Sequence, residues 1–95
     1  MLNSKVSISN YGNYSSDNYR SSRVVSIGSL DLYFSYDSVV AFRDSNTGLV
    51  IRENDWSKTT GRHLNAINPD HSIRIKSEEF EKKLNKCLKS HKLSI

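Results

Sequence analysis

Residues 24–52 alternate between apolar and polar side chains in short runs that turn-forming residues separate, and this pattern restricts the chain to a β-rich fold. The run 39–43 is rich in β-branched residues, which favour a buried strand. The turn sequence 44–48 and the apolar run 49–52 follow it, so we predict a hairpin. An earlier run has an apolar side chain at every second position, and a strand would place all of them on one face: Leu30, Leu32, Phe34 and Tyr36.

Further short segments complete the predicted sheet. Residues 24–27 are strand-like, and residues 5–9 and 72–76 alternate between polar and apolar side chains. Between the hairpin and the last strand, residues 62–67 predict one or two helical turns. Pro69 ends that segment, because proline disfavours a helical conformation in the residue before it.

The C-terminal part of the sequence predicts an amphipathic helix. Ser77 is a suitable N-cap, and Glu78 and Glu79 would lie in the first turn, where negative charge suits the helix dipole. Helical spacing places five side chains on one stripe: Phe80, Leu84, Cys87, Leu88 and His91. We therefore predict an α+β fold, an antiparallel β-meander of about five or six short strands with a short helical turn and a C-terminal helix packed on the sheet.

A length of 95 residues indicates a single small domain, 1–95. Within it, residues 10–23 are rich in Tyr, Ser and Asn, which predicts a polar loop or linker. No apolar run approaches the roughly 20 residues of a transmembrane helix. Residues 1–23 lack the apolar stretch of a secretory signal. The sequence has one cysteine and so no intrachain disulfide, and we expect a soluble protein of a reducing compartment with no membrane partner.

The net charge of +4 is concentrated at the two ends of the sequence. Residues 1–23 carry three basic and one acidic residue, and residues 77–95 carry five lysines and three glutamates. Residues 24–76 carry equal numbers of basic and acidic residues. The total therefore favours salt-sensitive contact with anions without identifying a binding face.

The polar segment 56–65 is the main candidate for a functional surface. Its side chains suit contacts with a macromolecule, and Arg62 and His63 beside threonines and a glycine would also suit a phosphate at a helix start. The predicted binding residues are Trp56, Ser57, Thr59, Thr60, Arg62, His63 and Asn65. The alternative is structural, with the tryptophan and a leucine as anchors and a hydroxyl as helix cap. The segment lacks the two flanking glycines and the Gly-Lys-Ser/Thr ending of a nucleotide-binding P-loop, which excludes that kind of site.

The N-terminal tyrosines suggest a second kind of contact. Tyrosine rings stack on unpaired bases, and arginines bind phosphates. The possible nucleic-acid contacts are Tyr14, Tyr19, Arg20 and Arg23. In the alternative interpretation, these tyrosines pack back on the domain.

Metal binding and catalysis have weak support in the sequence. Cys87 and His91 share a helix face and would make half of a zinc site, for which His63 and His71 would have to supply the other half. A buried free cysteine on an apolar stripe is common without a metal. Asp55 with His63 would suit an acid–base pair, although many surface pairs look alike in sequence. No serine lies in a nucleophile elbow, so the sequence gives no sign of a serine hydrolase. We expect no catalytic residues, no metal and no cofactor.

Two stretches of the sequence resemble a family of small uncharacterised proteins from phages and related viruses. They are YFSYDSVVAF at 33–42 and WSKTTGRHLN at 56–65. Members of that family share a Ser-Tyr-x-Ser/Thr-x-Val/Ile-Ala segment followed by an aromatic-Ser-x-Thr-Thr-Gly/Ser-Lys/Arg-His block. The resemblance implies a phage or viral protein that acts inside a prokaryotic host, in the host cytoplasm.

These observations predict a binding protein rather than an enzyme. The expected partner is a host or viral protein, bound through an exposed strand edge or the 56–65 surface. The alternatives are a nucleic-acid-binding protein, with DNA or RNA as its partner, and a structural or assembly protein.

Overall fold

The computed structural model describes residues 6–11, 22–55 and 58–93. The described residues form six strands, two α-helices and one 3-10 turn: β1 Val6–Asn10, β2 Ser22–Ile27, β3 Leu30–Ser35, β4 Ser38–Asp44, β5 Gly48–Arg52, α1 Lys58–Ile67, a 3-10 turn His71–Ile73, β6 Arg74–Ile75 and α2 Ser77–Ser90. The helix α2 is amphipathic, as its sequence predicted, and the α+β class is confirmed.

The six strands lie in one sheet in the order of the sequence, β1 to β6. The first five pair antiparallel with their neighbours, which is the predicted meander. The strand β6 is parallel to β5, because the chain crosses over through α1 before it returns to the sheet. The last strand was predicted over 72–76 and is shorter, because Asp70 accepts a hydrogen bond from the Ser72 N–H and residues 71–73 turn as a 3-10 helix.

The two helices cover opposite faces of the sheet. Alternation along a strand sends successive side chains to opposite faces, so Phe42 faces α2 while Ala41 faces α1. The core beneath α2 contains Leu30, Leu32, Val39, Phe42, Phe80, Leu84, Cys87 and Leu88. The core beneath α1 is smaller and contains Val40, Ala41, Ile51 and Leu64.

A buried arginine joins α2 to the sheet. The Arg52 guanidinium lies over the ring of Phe80, 5.3 Å from its centroid, and its Nη1 lies 3.2 Å from Glu81 Oε2. Cation–π contact and ion pairing both require α2 to sit in one register on β5. Arg52 therefore helps to fix the position of α2 on the sheet.

The start of α2 differs from the sequence prediction. The N-cap is Lys76, which makes no side-chain capping bond, and Ser77 is the first residue of the helix. The carboxylate of Glu53 accepts a hydrogen bond from the Ser77 N–H at 3.2 Å, and the Ser77 hydroxyl donates to Asp55. A carboxylate from outside the helix thus takes the role predicted for the Ser77 hydroxyl.

Three turns of the meander use backbone conformations with positive φ, and in the β2–β3 turn the residue is Gly28, with φ of 60°. Gly48, at the end of the β4–β5 turn, has φ of 64°. Tyr36, in the β3–β4 turn, has φ of 54°, which is unusual for a residue with a side chain. Its ring tilts against His63 with the centroids 5.8 Å apart, so the unusual conformation is accompanied by a contact to α1.

In the described ranges, no helix combines the length and the apolar character that crossing a membrane requires.

Candidate functional site

The helix α1 divides the predicted binding residues between the core and the surface. Thr60 and His63 are buried against the sheet, whereas Thr59 is half-buried and Arg62 and Asn65 are exposed. Trp56 and Ser57 lie outside the described residues. A partner at this surface would therefore reach only part of the predicted set.

A buried polar network holds α1 on the sheet. Ser35 at the end of β3 lies 2.7 Å from His63 Nδ1 and 3.1 Å from the Thr60 hydroxyl. The Tyr11 ring stands edge-on to His63 at 6.0 Å, and its hydroxyl donates to the Phe34 carbonyl at 2.7 Å. These contacts give Thr60 and His63 a structural role.

The exposed Asn65 of α1 supports the crossover connection. The side-chain oxygen of Asn65 accepts a hydrogen bond from Arg74 Nη2 at 2.8 Å and lies 3.1 Å from His71 Nε2. Asn65 thus links α1 to the segment that leads into β6. Thr59 and Arg62 are the remaining described members of the predicted set that face outward.

The predicted nucleic-acid contacts lie mostly outside the described residues. Tyr14, Tyr19 and Arg20 belong to that part of the sequence. Arg23 lies in β2 with its guanidinium over the Phe34 ring, 4.9 Å from the centroid, and 3.9 Å from the carboxylate of Asp37. Arg23 is therefore engaged within the domain.

The outer strand β1 exposes apolar side chains. All five of its residues are exposed, and Val6 and Ile8 retain 65% and 51% of their accessible surface. Alternation places both on the same face of the sheet, next to the half-buried Val25 and Ile27 of β2. This part of the sheet extends beyond the buried core that α2 covers.

A cluster of Asp44, Cys87 and His91 lies between the end of β4 and the C-terminal end of α2. The Cys87 thiol donates to Asp44 Oδ2 at 3.3 Å, and His91 Nε2 donates to the same oxygen at 3.1 Å. The ligand atoms of the three side chains all lie within 4.8 Å of one another. Asp44 and Cys87 are buried, and His91 is partly exposed.

The β4–β5 turn fixes the orientation of the Asp44 carboxylate. Its Oδ1 accepts hydrogen bonds from the backbone N–H groups of Asn46 and Thr47 at 2.9 and 2.8 Å, and from the Thr47 hydroxyl at 2.9 Å. The other oxygen, Oδ2, is thereby directed at Cys87 and His91.

The protonation of the cluster follows from these contacts. Burial acts to raise the pKa of Asp44, but hydrogen bonds from Thr47, His91 and Cys87 outweigh it and hold that pKa well below its usual range. Burial, with the hydrogen bond to Asp44 and the charge of its carboxylate, raises the pKa of the Cys87 thiol to about 11. Asp44 is thus ionised and Cys87 protonated at neutral pH.

The arrangement of the cluster differs from that of a catalytic triad. In a triad the histidine lies between the nucleophile and the carboxylate. Here the carboxylate of Asp44 lies between Cys87 and His91, so the histidine makes no bond through which it would take the thiol proton. The protonated thiol is also a poor nucleophile.

Sequence reasoning found Cys87 and His91 but missed Asp44. Asp44 stood out only as a turn residue, because nothing in its local pattern indicates that β4 ends beside α2. His63 packs against the opposite face of the sheet, and His71 contacts Asn65, so neither joins the cluster. The alternation of β4 places Phe42 and Asp44 on one face, but it does not indicate which part of α2 packs there.

A cavity of about 450 Å³ adjoins the cluster. Asp44 and Cys87 form part of its wall, and Lys83 and Lys86 of α2 lie at its side. The cluster is therefore in contact with a space that small molecules or ions can enter.

No curated protein and no solved structure matches this chain. Residues 2–82 match the sequence profile of a family of unknown function, DUF8033. The match includes both stretches of the sequence that carried the resemblance and every strand of the sheet. The resemblance to an uncharacterised family is confirmed to that extent. The chain belongs to the DUF8033 family.

Proposed function

We propose that this chain is a non-enzymatic binding protein that engages a protein partner along the outer edge of β1. The partner would add an extended segment to the sheet, with main-chain hydrogen bonds for affinity and alternate apolar side chains against Val6 and Ile8. Because the sequence resembles small phage and viral proteins, we propose a host or viral protein as the partner. The proposed setting is the cytoplasm of a prokaryotic host.

The single observation that carries this proposal is the exposure of an apolar edge strand. Natural sheets protect their edges with charges, prolines or bulges. The described strand β1 has none of these: its sequence is VSISN, and its register with β2 is continuous from Val6–Ile27 to Asn10–Arg23. An edge of this kind favours pairing with another strand.

The exposed part of α1 is a second surface in the same proposal. Arg62 is exposed and Thr59 is half-buried, and both follow residue 56 in the sequence, the tryptophan that was predicted to bind. Contacts there would add to those of the edge strand. The buried Thr60 and His63 would take no direct part.

Affinity capture from the natural host tests the proposal in two steps. The tagged chain is first used to isolate partners with and without nuclease, and mass spectrometry identifies them. The purified partner is then titrated against the wild type and against Ile8→Lys. We expect Ile8→Lys to weaken binding at least about tenfold, which corresponds to about 1.4 kcal/mol. Hydrogen exchange of the wild-type complex should show new protection at the β1 amides.

The matched control is Ile73→Lys, which places the same charge on an exposed apolar residue of the 3-10 turn. It should bind the partner as the wild type does. Equal binding by Ile8→Lys and the wild type would contradict the proposal. Capture that nuclease abolishes would support the nucleic-acid alternative instead. Self-association that Ile8→Lys abolishes, with no other partner, would support an assembly role.

A further inference from the structure

We infer that Asp44, Cys87 and His91 form a binding site for one zinc ion, with its fourth coordination position open to the adjacent cavity. The three side chains converge from two elements that are distant in the sequence, the β4–β5 turn and the end of α2. This inference is independent of the proposed function, which concerns the outer edge of β1, three strands away from β4 in the sheet.

The spacing of the ligand atoms suits a tetrahedral ion. Zinc–ligand bonds of about 2.0 to 2.3 Å place neighbouring ligand atoms about 3.3 to 3.6 Å apart. Asp44 Oδ2 lies 3.3 Å from Cys87 Sγ and 3.1 Å from His91 Nε2. The remaining pair is within 4.8 Å, so an ion between them needs only a small movement of the partly exposed His91 ring.

The donor set selects zinc over the hard cations. Mg²⁺ and Ca²⁺ bind through oxygen atoms, whereas a thiolate and an imidazole suit Zn²⁺. Zinc binding displaces the proton of the Cys87 thiol, which is released to the solvent. The ionised Asp44, the resulting thiolate and a neutral His91 together carry a charge of −2, which balances the ion. Because the resulting centre is neutral, the nearby Lys83 and Lys86 do not oppose it.

The surroundings of Asp44 resemble the outer shell of a metal site. Ligating carboxylates are themselves hydrogen-bonded, which holds them in the geometry that the ion requires. The three donors to Asp44 Oδ1 meet this condition without engaging Oδ2. The β4–β5 turn therefore prepares one ligand before the ion arrives.

The fourth coordination position faces the cavity of about 450 Å³. A water molecule or a small anion would complete the tetrahedron there, and the charges of Lys83 and Lys86 favour an anion. Cys87 and His91 lie beyond residues 2–82, the range that the family profile matches. The inference accordingly concerns this chain and not the family as a whole.

Metal titration of the full chain tests the site. The protein is stripped with a chelator and titrated with Zn²⁺ in competition with a coloured chelator, and Co²⁺ is used separately as a spectroscopic probe. We expect one equivalent of Zn²⁺ per chain. The Co²⁺ form should show tetrahedral absorption and the charge-transfer band of a cobalt–thiolate bond. Less than one equivalent, or a Co²⁺ spectrum without the thiolate band, would overturn the inference.

Single substitutions identify the ligands. Cys87→Ser and Asp44→Asn should each weaken zinc binding at least about 100-fold, because loss of even an outer-shell partner typically costs 10- to 100-fold. The matched control is His71→Ala, which removes an exposed histidine that contacts Asn65 and should leave zinc binding unchanged. Binding that survives Cys87→Ser, or that His71→Ala abolishes, would contradict the assignment. The wild-type Co²⁺ spectrum decides the question even if a variant fails to fold.

Discussion

Individual buried polar residues determine how the helices are held on this sheet. Ser35, Thr60 and His63 form one network under α1, and Asp44 forms another at the end of α2. Burying such groups is unfavourable unless each finds a hydrogen-bond partner. Changing one member therefore affects its neighbours more than its own small size suggests.

The network under α1 depends on the hydroxyl of Ser35. Ser35→Ala would leave His63 Nδ1 and the Thr60 hydroxyl without this contact in a buried position. We expect the free energy of unfolding to fall by about 1 to 3 kcal/mol. Urea denaturation followed by circular dichroism measures the change. Ser29→Ala, at an exposed turn residue, should change stability by less than about 0.5 kcal/mol, and an equal loss in both variants would contradict the role of Ser35.

Asp44 gives the protein a dependence on acid. The pKa of Asp44 is lower in the folded chain than the ordinary aspartate value of 3.8, so the unfolded chain binds the proton first as the pH falls. The stability that this carboxylate contributes is therefore present above about pH 4 and is lost progressively below it. The Asp44→Asn variant should be less stable than the wild type at neutral pH, and its free energy of unfolding should fall less than that of the wild type on acidification. Denaturation between pH 2 and 7 in the presence of a chelator measures this.

The exposed Asp37 provides the control for Asp44. Asp37→Asn removes the same charge from the β3–β4 turn, where the carboxylate is fully exposed and 3.9 Å from Arg23. Its pH profile should follow that of the wild type. If Asp44→Asn lost as much stability below pH 4 as the wild type does, the Asp44 contacts would not stabilise the fold.

At the scale of elements, period-2 alternation located the strands and the short turns predicted antiparallel pairing, but neither predicted the parallel direction of β6. The strands Leu30–Ser35 and Ser38–Asp44 lie close to their predicted positions. The short turn between them allows only antiparallel pairing, because parallel strands need a longer crossover connection. The same alternation is compatible with parallel pairing, so the direction of β6 could not be derived. The buried side of α1 was also missed, because its contacts to Ser35 come from a distant part of the sequence.

The N-terminus of α2 gives a prediction for a whole element. Glu53 accepts a hydrogen bond from the first turn and places negative charge at the positive end of the helix dipole. Glu53→Ala should lower the free energy of unfolding by about 0.5 to 2 kcal/mol, as for loss of an N-cap. Glu53→Gln keeps an acceptor without the charge and should cost less. Thermal denaturation of the two variants separates the contribution of the hydrogen bond from that of the charge. Equal losses of stability in Glu53→Ala and Glu53→Gln would show that the charge, and not the acceptor, is what stabilises the helix.

For the whole molecule, one sheet carries two separate surfaces whose chemistry differs. The apolar edge at β1 suits a protein segment, and the polar cluster at the end of β4 suits an ion. The binding residues predicted from the 56–65 segment correspond to neither, since the described ones mostly support α1. Clusters assembled from distant segments are not apparent from local spacing, whereas the exposed edge follows from strand order.

The parallel pairing of β5 with β6 has a consequence for the order of folding. The strands β2 to β5 pair with their sequence neighbours across short turns, whereas β6 joins the sheet only after the crossover through α1. Closing a longer loop costs more entropy, so contacts of β6 should form after the main barrier. In stopped-flow experiments, Phe42→Leu should mainly slow refolding, and Ile75→Val should mainly accelerate unfolding. Because β6 joins the sheet through the crossover, we expect it to detach from the sheet first on unfolding.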